Sequence, residues 1–403
     1  MRWSPKVIYS HRVPQEHAAE IVRELTRAGL PAVLLRVADR RGTLAEHVAG
    51  DRQTYRMAPD TGGWLPGPGP APRARLKRLA DPPALRPDDP FDLASVTKLA
   101  ATTAALMSLS DAGRVDLDAP ARDWIPAVPP GIRLTDLLRH RAGLAEWWPV
   151  YMSAGPAAEA VPAVPPRYPV GVERHYSDLG FMLLGMVVAR AYGAPLADAA
   201  RRLVFEPAGM TGAHYRPAGT DGPVPTAAGG AVPVATGHGD WYERRMIAAG
   251  YPGTAVAPGE LPFGVDPERY GRWREHTLVG EVHDGNAWHA FGGVAGHAGL
   301  FGTADDLVAF GRAVLDPDGP WRADTVRRCT AAGPDAGQGL GFWRWPEYGA
   351  VGHAGFTGIR FAVLPDVGRI VVLLTNRVHM PGTDLLDLGP YWTRILAAVR
   401  AGS

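Results

Sequence analysis

The amino-acid sequence predicts an α+β fold in which one antiparallel sheet is built from both chain ends and flanked by helices. Short apolar runs bounded by turn residues occur near the start, at 32–38 and 43–48, and again near the end, at 350–375. Helical patterns and Gly/Pro-rich loops fill the middle of the chain. Pairing the early strands with the late ones buries them all in one sheet, with a mostly helical domain inserted between its halves.

The expected domain boundaries follow from this arrangement. Residues 1–90 and 280–403 form the sheet domain, and residues 91–279 form the mostly helical domain. The functional site is expected between the two. A chain of 403 residues is long enough for two domains of ordinary size.

The N-terminal region is expected to contain a helix, a hairpin and a loop. Helical spacing over 15–28 ends at Gly29, and the two early strands flank the turn residues 39–42. Residues 57–90 are rich in Gly and Pro, which predicts a long loop.

Two buried helices are expected in the middle of the chain. An Asp and then Ser95 precede an Ala/Leu-rich run that ends at Gly113, and Ser177-Asp178 precede a helix at 179–192 that ends at Gly193. The other expectations here are a short helix at 134–140, a loop at 155–169 and a rim or lid over the site at 211–264.

The C-terminal region is expected to supply the second half of the sheet. Its expected elements are a helix at 303–315, strands at 350–356, 359–364 and 370–375, a tight turn at 365–368 and an amphipathic helix at 385–399.

Ser95 and Lys98 carry the first functional signal. They lie one helical turn apart, on the same face, where the N-terminal end of a helix favours an alkoxide or an oxyanion. The same field, together with burial, is expected to lower the pKa of Lys98 so that it can accept the serine proton. The chain has eight Ser and three Lys, so chance gives this spacing only about 0.06 times. The other 39 basic residues are Arg, which cannot lose a proton in a protein.

Composition excludes several classes of function. The net charge is +1 and the charges are mixed, so nothing indicates a nucleic-acid partner. Cys329 is the only cysteine, which excludes an intrachain disulfide. No apolar window is long enough to span a bilayer, and the N-terminus has no signal-like apolar region. We therefore expect a cytoplasmic protein without a membrane partner, and its oligomeric state is left open.

Two further segments contain residues suited to catalysis or substrate binding. Tyr176 opens the second buried helix, where its phenol could move protons between nucleophile, leaving group and water. His353-Ala354-Gly355-Phe356 lies on a predicted strand, where small residues allow close approach and a backbone N–H can form half of an oxyanion hole. Each segment alone is also compatible with a purely structural role.

Taken together, these segments resemble the serine β-lactamase-like superfamily, which includes class C β-lactamases, DD-peptidases and esterases. The family pattern is Ser-x-x-Lys, then Tyr-x-Asn, then Lys-Thr-Gly or His-x-Gly. This order is met by Ser95–Lys98, Tyr176–Asp178 and His353–Gly355. Supporting segments of the esterase and DD-peptidase branch lie at 137–144, 298–304 and 371–377, and residues 282–301 look like the penicillin-binding-protein-4B type.

The resemblance, which covers roughly residues 85–400, implies a β-lactamase/transpeptidase-like fold and an acyl-serine mechanism. Ser95 is then the nucleophile, Lys98 and Tyr176 move protons, and the N–H groups of Ser95 and Phe356 form the oxyanion hole. Asp178, His353 and Gly355 are expected to line the substrate site.

The chain departs from the lactamase pattern at two positions. Asp178 stands where the lactamases have Asn, so an anion replaces a neutral donor, and His353 replaces Lys, which gives a weaker, pH-dependent cation for a substrate carboxylate. Efficient β-lactam turnover is therefore not expected.

His283, Asp284, His289 and His297 raise the question of a metal. Their spacing matches no helical zinc motif, so pocket-lining or structural roles are favoured, and we expect neither a metal nor a cofactor.

The leading hypothesis is a serine hydrolase that acts on a small ester or amide, as an esterase or a D-amino-acid peptidase does. An acyltransferase or transpeptidase of a biosynthetic pathway would use the same acyl-enzyme. A catalytically silent ligand-binding module on the same scaffold is the alternative of another class.

Overall fold

The predicted sheet is present and is built from both ends of the chain. A computed structural model describes residues 12–58, 76–220, 224–226, 229–249, 262–381 and 385–402. Its strands are β1 (Ala32–Ala38), β2 (Thr43–Gly50), β3 (Tyr55–Met57), β4 (Leu76–Arg78), β5 (Phe91–Asp92), β6 (His214–Tyr215), β7 (Val224–Thr226), β8 (Gly229–Ala231), β9 (Ala235–His238), β10 (Thr277–Val279), β11 (Leu300–Gly302), β12 (Trp343–Trp345), β13 (Ala350–Gly355), β14 (Ile359–Leu364) and β15 (Arg369–Thr375).

The main sheet has six antiparallel strands in the order β12-β13-β14-β15-β1-β2. The early hairpin joins the late strands through β1 and β15, with Val33 opposite Thr375 and Ala38 opposite Ile370. The prediction of a sheet assembled from both chain ends is thus confirmed.

Helices cover both faces of this sheet. They are α1 (Arg12–Arg27), α2 (Ala104–Asp111), α3 (Leu134–Leu138), α4 (Ala157–Ala163), α5 (Asp178–Tyr192), α6 (Leu196–Ala200), α7 (Glu206–Ala208), α8 (Trp241–Ala249), α9 (Ala304–Leu315), α10 (Ala323–Thr330) and α11 (Gly389–Ala401). Alternate residues of β1 point to opposite faces. Val33 and Leu35 belong to the core under α1 and α11, whereas Leu34 belongs to the larger core on the other face.

The larger core extends without a break from the sheet into the helical middle. It contains Leu34 and Phe361 of the sheet together with Leu106 of α2 and Leu183 of α5. The polypeptide between 91 and 279 therefore shares its core with the sheet. The boundaries at residues 91 and 279 stay a prediction.

Six elements differ from the expectations. The segment 155–169, predicted as a loop, contains α4, and the ends of the predicted loop 57–90 pair as β3 and β4, while 59–75 lie outside the described residues. The last helix begins at Gly389 rather than at 385. Neither the edge strand β12 nor the polar helix α10 was predicted, because neither has a buried apolar pattern.

Within the described ranges, no single helix is long and apolar enough to cross a membrane. One pair reaches the required length and composition together, namely Asp178–Tyr192 with Leu196–Ala208, which is bent by 76°.

Candidate active site

The turn that carries the predicted nucleophile, residues Leu93–Ser95 and here called the nucleophile turn, joins a short strand to the long central helix. Strand β5 pairs with β11, and helical conformation begins at Val96, is π-helical over Lys98–Thr103 and continues as α2. Ala94 has a φ of 46°, which a residue with a side chain rarely adopts. Its N–H donates to Oδ1 of Asp92 at 2.9 Å, so a side-chain acceptor holds the turn that presents Ser95.

Lys98 is fully buried, and its Nζ donates hydrogen bonds to Oγ of Ser95 at 2.8 Å and to the backbone carbonyl of His297 at 3.3 Å. Its Nζ also lies 2.7 Å from Oδ1 of Asp178 as an ion pair. An ammonium group donates hydrogen bonds and pairs with a carboxylate, and both kinds of partner are present. The geometry therefore describes a protonated lysine that donates to the serine oxygen.

The expected low pKa of Lys98 is wrong. Burial is the largest single cause and disfavours the ammonium, but the interactions of Lys98 with Asp178 and Tyr176 together outweigh it, so the pKa of Lys98 is raised above its ordinary value. Burial and the helix field alone would lower this pKa, whereas the anion at position 178 raises it. Ser95 therefore faces a protonated Lys98, which must give up one proton before it can accept the hydroxyl proton of Ser95.

Tyr176 lies beside both residues. Nζ of Lys98 is 4.9 Å from the centre of its ring, and the side chains of Ser95 and Lys98 both act on the pKa of its hydroxyl. Ser177, which follows it, caps α5 as predicted, and the Ser177 N–H donates to Nδ1 of His140 at 3.0 Å. Burial raises the pKa of Tyr176 despite the opposing charge of Lys98, so the phenol is protonated near neutral pH.

Phe356 and Gly355 bring the end of β13 against the nucleophile turn. A Cβ atom on Gly355 would lie 2.8 Å from the carbonyl oxygen of Leu93 and 3.4 Å from Cβ of Ala94. Gly355 therefore allows β13 to pack closely against the nucleophile turn, whereas the sequence predicts only that small residues here let the backbone approach a ligand. Phe356, the next residue, lines the same two cavities as Ser95.

His353 does not supply the predicted cation. Its side chain is fully buried, its Nδ1 is 2.8 Å from the carbonyl oxygen of Ala354, and it lines neither cavity beside Ser95. Burial and the nearby Lys98 lower the pKa of His353 to about 3, so its ring is neutral. The cause is its position beneath the strand surface, which the His-x-Gly pattern does not reveal.

Two cavities meet at Ser95, Tyr176 and Phe356, one with acidic and the other with basic side chains in its wall. The first, of about 340 Å³, has four acidic side chains and several aromatic ones in its wall: Glu146, Asp178, Glu243, Asp284, Trp147, Tyr176, Tyr242 and Phe356. The second, of about 500 Å³, is lined by four arginines, namely Arg174, Arg344, Arg360 and Arg377. Within the first, burial and the charges of Asp284 and Asp240 raise the pKa of Glu243 well above its ordinary value.

Most of these wall residues were not predicted. Tyr242 and Glu243 belong to α8, in the segment for which only a rim or lid was expected. The four arginines come from distant parts of a chain that contains 39 arginines, so no local pattern distinguishes them.

The predicted group of His283, Asp284, His289 and His297 does not act as one cluster, because two of its histidines contact different carboxylates. His297 meets Asp284 through Nε2 at 2.8 Å, and His289 meets Asp240 through Nε2 at 2.8 Å. His283 and Asp284 line the first cavity. Among the described residues, no group of three or more His, Cys, Asp or Glu side chains is placed to hold a metal ion.

Comparison with known proteins gives a consistent picture. The family model described as Beta-lactamase matches residues 18–389. A D-alanyl-D-alanine carboxypeptidase-like protein of Escherichia coli (strain K12) is 28% identical over 333 residues, which is 73% of this chain and 70% of that protein. The D-amino acid amidase from Ochrobactrum anthropi SV3 matches with a TM-score of 0.62 and 18% identity, covering 96% of this chain and 99% of the amidase. EstCE1, a hydrolase with promiscuous acyltransferase activity, matches with a TM-score of 0.61 and 17% identity, covering 97% and 99% of the two chains.

The fold and these relatives define a serine hydrolase of esterase or peptidase type. The chain belongs to the Beta-lactamase family, whose model spans most of its length.

Proposed function

We propose that Ser95 attacks the carbonyl of a small amide or ester and that the resulting acyl-enzyme is hydrolysed. The observation that supports this most is the contact between Ser95 and Lys98, 2.8 Å long, at the point where the two cavities meet. A buried lysine is costly, and a catalytically silent site would not need one beside Ser95, which argues against a silent binding module.

The proton of Ser95 must leave as its oxygen attacks. In our proposal Nζ of Lys98 gives one proton to Asp178, 2.7 Å away, as it takes the serine proton. Lys98 ends as an ammonium, Asp178 ends as a neutral acid, and the Ser95 oxygen forms the bond to the substrate carbon. Tyr176, protonated and in contact with both residues, then donates to the leaving group and recovers its proton from the attacking water.

The negative charge that develops on the substrate carbonyl oxygen must be stabilised by hydrogen-bond donors. The N–H groups of Ser95 and Phe356 are the proposed oxyanion hole, because Gly355 lets the end of β13 lie against the nucleophile turn.

The charges of the two cavities support an amino-acid derivative as substrate. Acidic and aromatic side chains suit an ammonium group on the acyl side, and guanidinium groups suit a carboxylate on the leaving group. The printed names of two relatives, a D-amino acid amidase and a D-alanyl-D-alanine carboxypeptidase-like protein, agree with such a substrate. The cytoplasmic location stays a prediction.

Hydrolysis of D- and L-phenylalanine amides, of their N-acetyl derivatives and of dipeptides tests this function. We expect cleavage that acetylation of the amine weakens, and no cleavage by the Ser95→Ala protein. Equal cleavage of free and acetylated amides would contradict the proposed binding site for the substrate ammonium group. Adding hydroxylamine to the same reactions separates hydrolysis from acyl transfer, because transfer yields a hydroxamate. No turnover of any member of the panel would contradict the proposed substrate class.

A further inference from the structure

Asp92 stands out because it is a buried carboxylate with no role in the chemistry above. It is only 2% exposed and lies at the end of β5, three residues before Ser95. Oδ1 accepts the N–H of Ala94 at 2.9 Å and Oδ2 accepts the N–H of His283 at 2.7 Å. Its backbone carbonyl accepts the hydroxyl of Thr357 at 2.9 Å.

These three bonds reach three walls of the catalytic cleft. Ala94 belongs to the nucleophile turn, His283 lines the first cavity, and Thr357 follows Phe356 in the proposed oxyanion hole. Asp92 is therefore the point at which the nucleophile turn, the cavity wall and the end of β13 are joined.

The hydrogen bond from Ala94 to Asp92 stabilises the strained backbone next to Ser95. At a φ of 46° the Ala94 backbone is strained, and such a conformation persists only where its surroundings hold it. Oδ1 of Asp92 accepts the N–H of that residue, and the next residue is the nucleophile. Losing the bond would let the turn relax and would move both the hydroxyl and the N–H of Ser95.

The carboxylate is held without a neighbouring cation. Among the described residues, no Lys, Arg or His nitrogen forms an ion pair with Asp92. Burial is the main cause that raises its pKa, to about 6; the charge of Asp284 adds to it, whereas the two N–H bonds and the charge of Arg274 oppose it. His283 is neutral, because burial lowers its pKa to about 4. Folding therefore favours protonated Asp92, yet only the anion accepts both N–H groups.

We infer that Asp92 is a positioning residue for acyl transfer, which holds Ser95 in register with Phe356 by accepting the Ala94 and His283 N–H groups at once. This inference rests on the proposed role of Ser95. It implies that ionised Asp92 costs stability and supports activity, so the contribution of Asp92 to stability falls as its contribution to activity rises.

The wild-type protein alone provides a first test. The burst of p-nitrophenol from p-nitrophenyl acetate reports acylation. We expect the acylation rate to rise through about pH 6. An acylation rate that stays constant between pH 5 and pH 7 would overturn the inference, whatever the variants do.

Asp92→Asn provides the second test, because an amide keeps the size and one acceptor oxygen but puts an NH₂ group where a second acceptor is needed. We expect acylation about 10- to 100-fold slower above pH 7, KM within about threefold, no acid limb, and a Tm at pH 8 no lower than that of the wild type. An acid limb that persists in Asp92→Asn, or an unchanged rate, would contradict a positioning role.

Asp306→Asn is the matched control. Asp306 is another buried carboxylate that accepts backbone N–H groups, from Gly212 and Thr303, but it lines neither cavity. We expect this variant to lose stability and to keep the acid limb. If Asp92→Asn instead lost activity together with stability, as a merely structural residue does, the inference would fail. Ser95→Ala separates the two hypotheses. Ester hydrolysis that survives in Ser95→Ala overturns Ser95 as the nucleophile, whereas an unchanged acylation rate in Asp92→Asn, with hydrolysis lost in Ser95→Ala, overturns only the role of Asp92.

Discussion

Replacing Asp178 by Asn should release the proton that Lys98 holds. The two groups are 2.7 Å apart, and at an effective dielectric constant of about 20 their attraction is about 6 kcal/mol, or roughly four pKa units. Lys98 is fully buried, so once the anion is removed desolvation dominates and lowers its pKa. The carboxylate is partly exposed, which weakens the attraction, and we expect a fall of about two to four units.

The chain makes this change measurable, because it contains only three lysines. Labelling their Cε atoms with ¹³C gives three NMR signals, which Lys6→Arg and Lys77→Arg assign. In the wild type the Lys98 signal should not titrate up to about pH 11. In Asp178→Asn it should titrate at lower pH, and the acylation rate should rise with that same pKa. A Lys98 signal that titrates alike in both proteins would refute the reasoning.

Three further predictions concern the same site. Lys98→Arg should acylate as slowly as Lys98→Ala, about 10²- to 10⁴-fold below wild type, because guanidinium cannot relay a proton; burst kinetics within a few-fold of wild type would remove that role. Tyr176→Phe should still acylate but accumulate acyl-enzyme, seen by intact mass over time, and a normal steady-state rate would contradict this. Gly355→Ala should slow acylation, because its Cβ would lie 2.8 Å from the carbonyl oxygen of Leu93; a wild-type burst rate would show that this close approach is not needed.

The elements with clear periodicity or turn chemistry were predictable from the sequence. The hairpin of β1 and β2, the strands β13, β14 and β15 and the capped helix α5 lie within a few residues of their expected positions. Short or polar elements such as α4, α10 and β12 have no such pattern, and their tertiary contacts decide them.

Which residues form the site was easier to predict from the sequence than which of their side chains are ionised. Ser95, Lys98, Tyr176 and Asp178 lie together as the motif order implied, but the protonation of Lys98 and of His353 depends on burial and on neighbours distant in sequence. The arginine-lined wall could not be predicted, because its members meet only in the folded chain.

Covalent labelling tests the central claim most directly. A fluorophosphonate probe reports a competent serine nucleophile without knowledge of the substrate. We predict one adduct per chain by intact mass, its site mapped to Ser95 by peptide sequencing, and no adduct on Ser95→Ala. An adduct that persists in that variant, or one that maps to Ser177, would contradict the account.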